Sequence, residues 1–67
     1  MEENTITREE IMQRSIEDFS EVQQNMLLAK EEHAPKTYAS LKRKYISLKT
    51  LLQSLGVNMS VIDIIKE

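Results

Sequence analysis

The feature that most constrains the fold is a run of apolar residues spaced alternately three and four positions apart. The run consists of Tyr38, Leu41, Tyr45, Leu48, Leu52 and Leu55. Residues at this spacing line one face of an α-helix, because an α-helix turns once every 3.6 residues. A narrow apolar stripe of this kind is typical of a helix that packs at a shallow angle on another helix. We therefore predict a helix over about residues 35–55 whose apolar stripe is buried.

The ends of this helix are marked by the one proline and the one glycine of the chain. Pro35 suits the first turn of a helix, where a backbone N–H is not needed, and Gly56 suits the left-handed residue that ends a helix. Val57 is then placed to contact Leu52 across this C-terminal cap. We predict that Gly56 has a positive φ and closes the second helix.

A first helix is predicted over about residues 8–33. Thr7 and Glu10 have the spacing of a capping box, and Ile6 and Ile11 have the spacing of a hydrophobic staple. The apolar residues that follow at helical steps are Met12, Ile16, Phe19, Val22, Met26, Leu27 and Ala29. The helix should end shortly before the proline, because a residue that precedes proline disfavours helical backbone angles.

A short third helix is predicted over about residues 61–66. Ser60 is placed to cap its first turn, and Asp63 has the capping-box position. Its apolar side chains would fill the corner between the first two helices. The predicted contacts are those of Val61, Ile62 and Ile65 with Met12, Ile16 and Leu55.

These elements predict an all-α fold and one domain over residues 1–67, with residues 1–6 as a flexible N-terminus. The connection between the first two helices is so short that the helices must lie antiparallel. The predicted architecture is an antiparallel helical hairpin with a short C-terminal helix, a three-helix arrangement.

The small size of the chain predicts self-association. A chain of 67 residues buries only a modest fraction of its surface, so a partner is expected to add to its stability. Leu28 lies opposite the apolar face of the first helix, and Ile46 and Leu51 lie beside the apolar stripe of the second. A second copy would cover these residues and complete a four-helix bundle through a two-fold interface. We predict a homodimer at micromolar concentration, with a different protein partner on the same residues as the other outcome.

The charges of the chain are divided between its two halves. Residues 1–34 carry nine acids and three bases, whereas residues 35–67 carry six bases and two acids. Antiparallel helices would place an acidic helix against a basic one. The cations of the second helix lie mainly in the stretch LKRKYISLK, residues 41–49, as Lys42, Arg43, Lys44 and Lys49.

Two interpretations of this basic stretch are open. In the first, Lys42, Lys44 and Lys49 flank the apolar stripe opposite the acidic helix and form intramolecular or interchain ion pairs, while Arg43 points to solvent. In the second, the four cations bind nucleic-acid phosphates, which requires one continuous positive stripe clear of the acidic helix. Both tyrosines lie on the apolar stripe as core residues, which favours the first interpretation.

The segment LLQSLGVNMSVIDIIKE, residues 51–67, resembles the helix-turn-helix of DNA-binding regulators through LGV at 55–57, followed by Ile62 and Ile65. The resemblance implies a small regulator whose last helix enters the major groove. The residues that would face the groove are Asn58, Met59, Ser60, Asp63, Ile64 and Glu67. This set departs from the family pattern because it contains two acids and no arginine or lysine. A leucine also stands four places before the glycine, where the motif has a small residue. DNA binding is therefore the alternative function.

The longer stretch SLKRKYISLKTLLQSLGVNMSVIDIIKE, residues 40–67, is similar to small uncharacterised helical proteins encoded on mobile elements and phages of Gram-positive bacteria. This similarity implies a bacterial accessory or regulatory protein, without a specific activity.

The sequence contains no recognisable arrangement for catalysis or for binding a cofactor. His33 is the only histidine and lies beside Glu31 and Glu32 near a helix end, whereas a metal site needs two or three convergent ligands. One glycine cannot build a phosphate-binding loop. We therefore expect no enzyme activity, no cofactor, no metal and no small-molecule substrate.

Neither membrane contact nor secretion is expected from the sequence. The apolar stripe is narrow, and anionic lipid would repel the acidic half of the chain. The chain has no cysteine, and its first residues, MEEN, lack the basic and apolar segments of a secretory signal. We expect a cytoplasmic protein.

Overall fold

The computed structural model describes residues 7–67, which form three helices and, within that range, no strand. The helices are α1, Arg8–Glu31, α2, Pro35–Ser54, and α3, Met59–Ile62. The prediction of an all-α fold is confirmed. The predictions of a flexible N-terminus over residues 1–6 and of a staple from Ile6 lie outside the described residues.

The start of α1 is held by the predicted capping box. The amide of Glu10 donates to Thr7 Oγ1 at 3.1 Å, and the amide of Thr7 donates to Glu10 Oε1 at 3.0 Å. These two bonds satisfy backbone donors that have no partner inside the helix. The bond from the Thr7 amide is also the main cause that lowers the pKa of Glu10.

Both long helices end in the same hydrogen-bonded motif, in which one residue adopts a left-handed conformation. At the end of α2 the residue is Gly56, with a φ of 87°, as predicted, and the amide of Val57 donates to the carbonyl of Leu52. At the end of α1 the residue is His33, with a φ of 55°. The amide of Ala34 then donates to a carbonyl of the last turn, so α1 ends two residues before the predicted position.

α1 and α2 contact each other along their length. In the middle, the rings of Phe19 and Tyr45 stack with their centroids 5.3 Å apart. At one end the chain passes between the helices in three residues, and at the other end Arg8 Nη2 donates to the carbonyl of Leu55 at 2.6 Å. The buried apolar residues are Phe19, Val22, Met26, Ala29, Tyr45, Leu52 and Met59.

The apolar stripe of α2 contributes unevenly to this core. Tyr45 and Leu52 are completely buried, whereas Tyr38, Leu41 and Leu48 are partly buried and pack against the buried cluster. Tyr45 and Leu52, two turns apart, are therefore the most deeply buried residues of the stripe, and Leu48 between them is only partly buried.

The third helix begins earlier and is shorter than predicted, so the prediction over residues 61–66 is wrong. Asn58, and not Ser60, caps it, because Asn58 Oδ1 accepts the amide of Ser60 at 3.1 Å. The helix ends before Asp63, which has an extended backbone and a buried side chain. The predicted packing of Val61 is also wrong, since its side chain is 75% exposed. Ile62 and Ile65 pack against the buried cluster, whereas their contacts with Met12, Ile16 and Leu55 stay a prediction.

Candidate interaction surfaces

The last residues of the chain lie against α1 and α2. They form polar contacts with both helices that the sequence did not predict. We call residues 63–67 the C-terminal segment. Gln23 of α1 attaches this segment to the first helix and is only 2% exposed. Its Nε2 donates to the carbonyl of Ile62 at 2.9 Å, and its Oε1 accepts the amides of Ile64 at 2.7 Å and Ile65 at 3.0 Å. One side chain therefore satisfies three backbone groups.

Asp63 is the centre of the contacts between the C-terminal segment and α2. Its carboxylate accepts the hydroxyl of Tyr45 at 2.8 Å, the amide of Lys66 at 2.8 Å and the ammonium of Lys49 at 2.8 Å. Burial works to raise the pKa of Asp63, but these three donors outweigh burial, so its pKa lies below the usual value. The buried carboxylate is thus held in its ionised form.

Glu67 contacts residues of α2 that lie nearer the N-terminus of that helix than the residues bound by Asp63. Lys42 Nζ lies 2.8 Å from Glu67 Oε1, and the hydroxyl of Tyr38 donates to Glu67 Oε2 at 3.0 Å. Lys49 Nζ also donates to the backbone carbonyl of Glu67 at 3.0 Å, and the amide of Glu67 donates to the hydroxyl oxygen of Tyr45 at 3.0 Å. These contacts align the C-terminal segment along one side of α2.

The same contacts change the pKa values of the groups involved. The hydrogen bond from Lys42 is the main cause that lowers the pKa of Glu67, and the pKa of Lys42 is raised in turn. The hydrogen bond to Asp63 raises the pKa of Lys49. Burial, and then the bond to Glu67, raises the pKa of Tyr38. Each shift favours the protonation state in which the group forms its ion pair or hydrogen bond.

Two of the four cations of the basic stretch therefore form ion pairs with the C-terminal segment and not with the acidic helix. Lys42 and Lys49 thus form intramolecular ion pairs, as predicted for the flanking cations, but their partners are Glu67 and Asp63 and not acids of α1. Arg43 and Lys44 are exposed and form no ion pair within 4 Å in residues 7–67. Lys44 instead lines a shallow recess together with Asp18 and Glu21 of α1.

The three residues predicted for self-association are all exposed, but they do not share one surface. Leu28 is 52% exposed, Ile46 43% and Leu51 39%. Ile46 lies one turn from both Lys42 and Lys49, on the side of α2 that carries the C-terminal segment. Leu51 is five residues further on, which rotates its direction by about 140°. Leu28 lines a recess with Leu41 of α2 on the side opposite the C-terminal segment.

The segment that resembles a helix-turn-helix has a structure that differs from that motif. The helix that would enter the groove, α3, has four residues. Of the six residues named for groove contacts, Met59 and Asp63 are buried, and Glu67 is bound to Lys42 and Tyr38. The Asn58 side chain is used to cap α3.

Sequence reasoning did not identify Gln23 or the internal role of Asp63. The available signal was the position of Gln23, which follows Val22 and lies one turn from Phe19 and from Met26, in the middle of the apolar face of α1. A polar residue at a buried position needs hydrogen-bond partners. The sequence does not show which distant backbone groups supply them.

The structure also locates the groups considered for metal binding or for membrane contact. His33 is exposed at the end of α1. Among residues 7–67 no group of three or more histidine, aspartate or glutamate side chains could hold a metal ion. None of the three helices described is both long enough and apolar enough to cross a membrane.

No protein-family model, curated protein or solved structure matches this chain.

Proposed function

We propose that this protein is a helical hairpin that serves as a non-enzymatic interaction or regulatory module and associates with itself. The observation that carries the proposal is the exposure of large aliphatic side chains on α1 and α2. Leu27 and Leu28 of α1 are adjacent and both about half exposed, and Ile46 and Leu51 are exposed on two different sides of α2. Large exposed apolar side chains favour a protein partner, because their burial stabilises the complex.

The contacts of the basic stretch support a protein partner over nucleic acid. Lys42 and Lys49 bind carboxylates of the same chain. Arg43 and Lys44 are left as the exposed cations of the stretch, and Lys44 lies beside Asp18 and Glu21. Nucleic-acid affinity comes mainly from the neutralisation of several phosphates at once, so this arrangement provides a weak electrostatic basis for it.

Sedimentation equilibrium across the micromolar range tests self-association. We expect the mass to rise above the 7.8 kDa of one chain as the concentration increases. The variant Leu28→Gln should stay monomeric to higher concentrations than Ser20→Gln, which changes an exposed residue of the same helix. A constant mass of one chain over the whole range would contradict self-association.

The alternative, DNA binding, is tested by titrating the protein with nonspecific duplex DNA at low salt. We expect no binding that depends steeply on salt. The double variant Arg43→Gln, Lys44→Gln removes the two exposed cations of the basic stretch. It leaves the contacts of the C-terminal segment intact. Tight binding by the wild-type protein that this variant loses would replace the proposed function with DNA binding.

A further inference from the structure

One side of the molecule is not covered by the C-terminal segment, and residues of both long helices meet there. We call this side the open flank. Asp18, Glu21 and Lys44 line one recess on it, and Leu28 lines the neighbouring recess with Leu41. The two recesses share Asn25 and Leu41, so they form one continuous surface.

Two further exposed aliphatic residues belong to the open flank. Ile11 is seven residues before Asp18, and Leu51 is seven residues after Lys44. Seven residues are close to two full helical turns, so each aliphatic side chain points to the same side as the charged one. Both are more than a third exposed. The open flank thus has apolar groups near both ends and charged groups in the middle.

The charged groups of the two helices lie at the same level along the molecule. The stacked rings of Phe19 and Tyr45 set this register, and each ring is next to one of the charged residues, Asp18 or Lys44. Arg8 contacts Leu55 at the end of the pair, which places Ile11 and Leu51 within about one turn of the same level. Acid and base on this surface are therefore side by side.

We propose that a second copy of this chain packs on the open flank, with α1 of each copy against α2 of the other. This proposal rests on the proposed self-association and specifies its geometry. A two-fold axis parallel to the helices places α1 of one copy against α2 of the other. Each residue then keeps its position along the direction of the helices. The axis brings Lys44 of one copy onto Asp18 and Glu21 of the other, and Leu51 of one copy onto Ile11 of the other.

The charges select this arrangement over the other two-fold packing of the same surface. If the axis were perpendicular to the helices, α1 would face α1 and the acids of one copy would lie against those of the other. Such like-charge contacts oppose association, whereas the exchanged arrangement pairs opposite charges twice. Ile46 lies on the other side of α2 and has no part in this interface.

A pair of charge-reversal variants tests the arrangement. Lys44→Glu makes both helices acidic on the open flank, and Asp18→Lys with Glu21→Lys makes both basic. Each variant alone should dimerise at least about tenfold more weakly than the wild type, because two attractive contacts become repulsive. An equimolar mixture should recover dimerisation, since every contact in the mixed dimer then joins opposite charges. Arg43→Glu, the same charge change on a neighbouring residue that points away, should dimerise like the wild type.

Sedimentation equilibrium of each variant and of the mixture gives the result, with thermal melting to verify that the variants are folded. Failure of the mixture to recover dimerisation would overturn the exchanged arrangement. Dimers that persist in both variants would overturn the exchanged arrangement as well, while leaving self-association intact, because packing of α1 on α1 keeps like charges in contact in the wild type and in each variant. A wild-type protein that is monomeric throughout would instead contradict the proposed function itself.

Discussion

The two sides of the α1–α2 pair carry similar residues but are used differently. On one side, which we call the covered flank, Lys42 and Lys49 project from α2 and bind Glu67 and Asp63 of the C-terminal segment. On the open flank, Lys44 projects from the same helix and lies in a recess with exposed acids of α1. Lysines at equivalent positions beside one apolar stripe thus have an internal partner on one side and a solvated surface on the other.

This difference shows that a basic stretch cannot be assigned a role from its composition. The covered flank contains buried polar groups that all have hydrogen-bond partners within residues 7–67. A buried ionised group is stable only with such partners, so the C-terminal segment and the lysines depend on each other. Substitutions on the covered flank should therefore affect stability far more than substitutions on the open flank.

The largest loss of stability is expected when Gln23, which binds the C-terminal segment, is replaced. Gln23→Ala removes the partner of three backbone groups near Ile62 and leaves a cavity, and we expect it to lower the free energy of unfolding by about 2–4 kcal/mol. The neighbouring Gln24 is exposed, so Gln24→Ala should change it by less than about 0.5 kcal/mol. Denaturant unfolding of both variants measures the difference. Equal effects would mean that the C-terminal segment is not held to α1 by this side chain.

A smaller difference in stability is expected between substitutions of two lysines of α2, one on each flank. Lys49→Gln deprives the buried Asp63 carboxylate of its ammonium partner, and we expect the melting temperature to fall clearly, because a buried charge without a partner is unstable. Lys44→Gln should cost less than about 0.5 kcal/mol at a concentration at which the chain is monomeric. Thermal melting of the two variants gives the comparison. If Lys44→Gln were the more destabilising, the assignment of the two flanks would be reversed.

The turn at Gly56 directs the chain from α2 towards the covered flank, and its substitution tests that path. Gly56→Ala should cost about 1 kcal/mol, because a side chain disfavours the left-handed conformation while the space around the residue is open. Gly56→Asn should cost less, since asparagine tolerates this conformation better. Chemical denaturation distinguishes the two. A neutral Gly56→Ala variant would show that this conformation is not required.

The smallest predicted effect is the dependence of stability on pH through Asp63. Its pKa is lower in the folded state than in the unfolded chain, so its contribution is complete above the unfolded pKa of about 4 and is lost as the pH falls through the folded pKa. We expect the free energy of unfolding to decrease more steeply below about pH 4 in the wild type than in Asp63→Asn. Parallel pH profiles would contradict the ionised, hydrogen-bonded state of this carboxylate.

Local sequence signals were sufficient for the start of α1 and for both ends of α2. The capping box of Thr7 and Glu10, the proline at the start of α2 and the glycine after it act within a few residues, and each is confirmed. Such signals depend on backbone geometry and short hydrogen bonds, so they can be recognised without knowledge of the rest of the fold. The left-handed His33 was missed because a histidine, unlike a glycine, has no strong preference for that conformation.

What only the tertiary structure decided is the course of the chain after Gly56 and the role of the lysines. The sequence by itself determined the all-α class, the apolar stripe and the positive φ of the glycine. It predicted a helix where the C-terminal segment lies, because Ser60 and Asp63 have the spacing of a cap. In the folded protein Asp63 binds Tyr45 and Lys49, while Gln23, about forty residues away in the chain, binds the next two amides. These partners outweigh the local helical preference because they satisfy a buried charge and buried backbone groups, and only the folded chain brings them together.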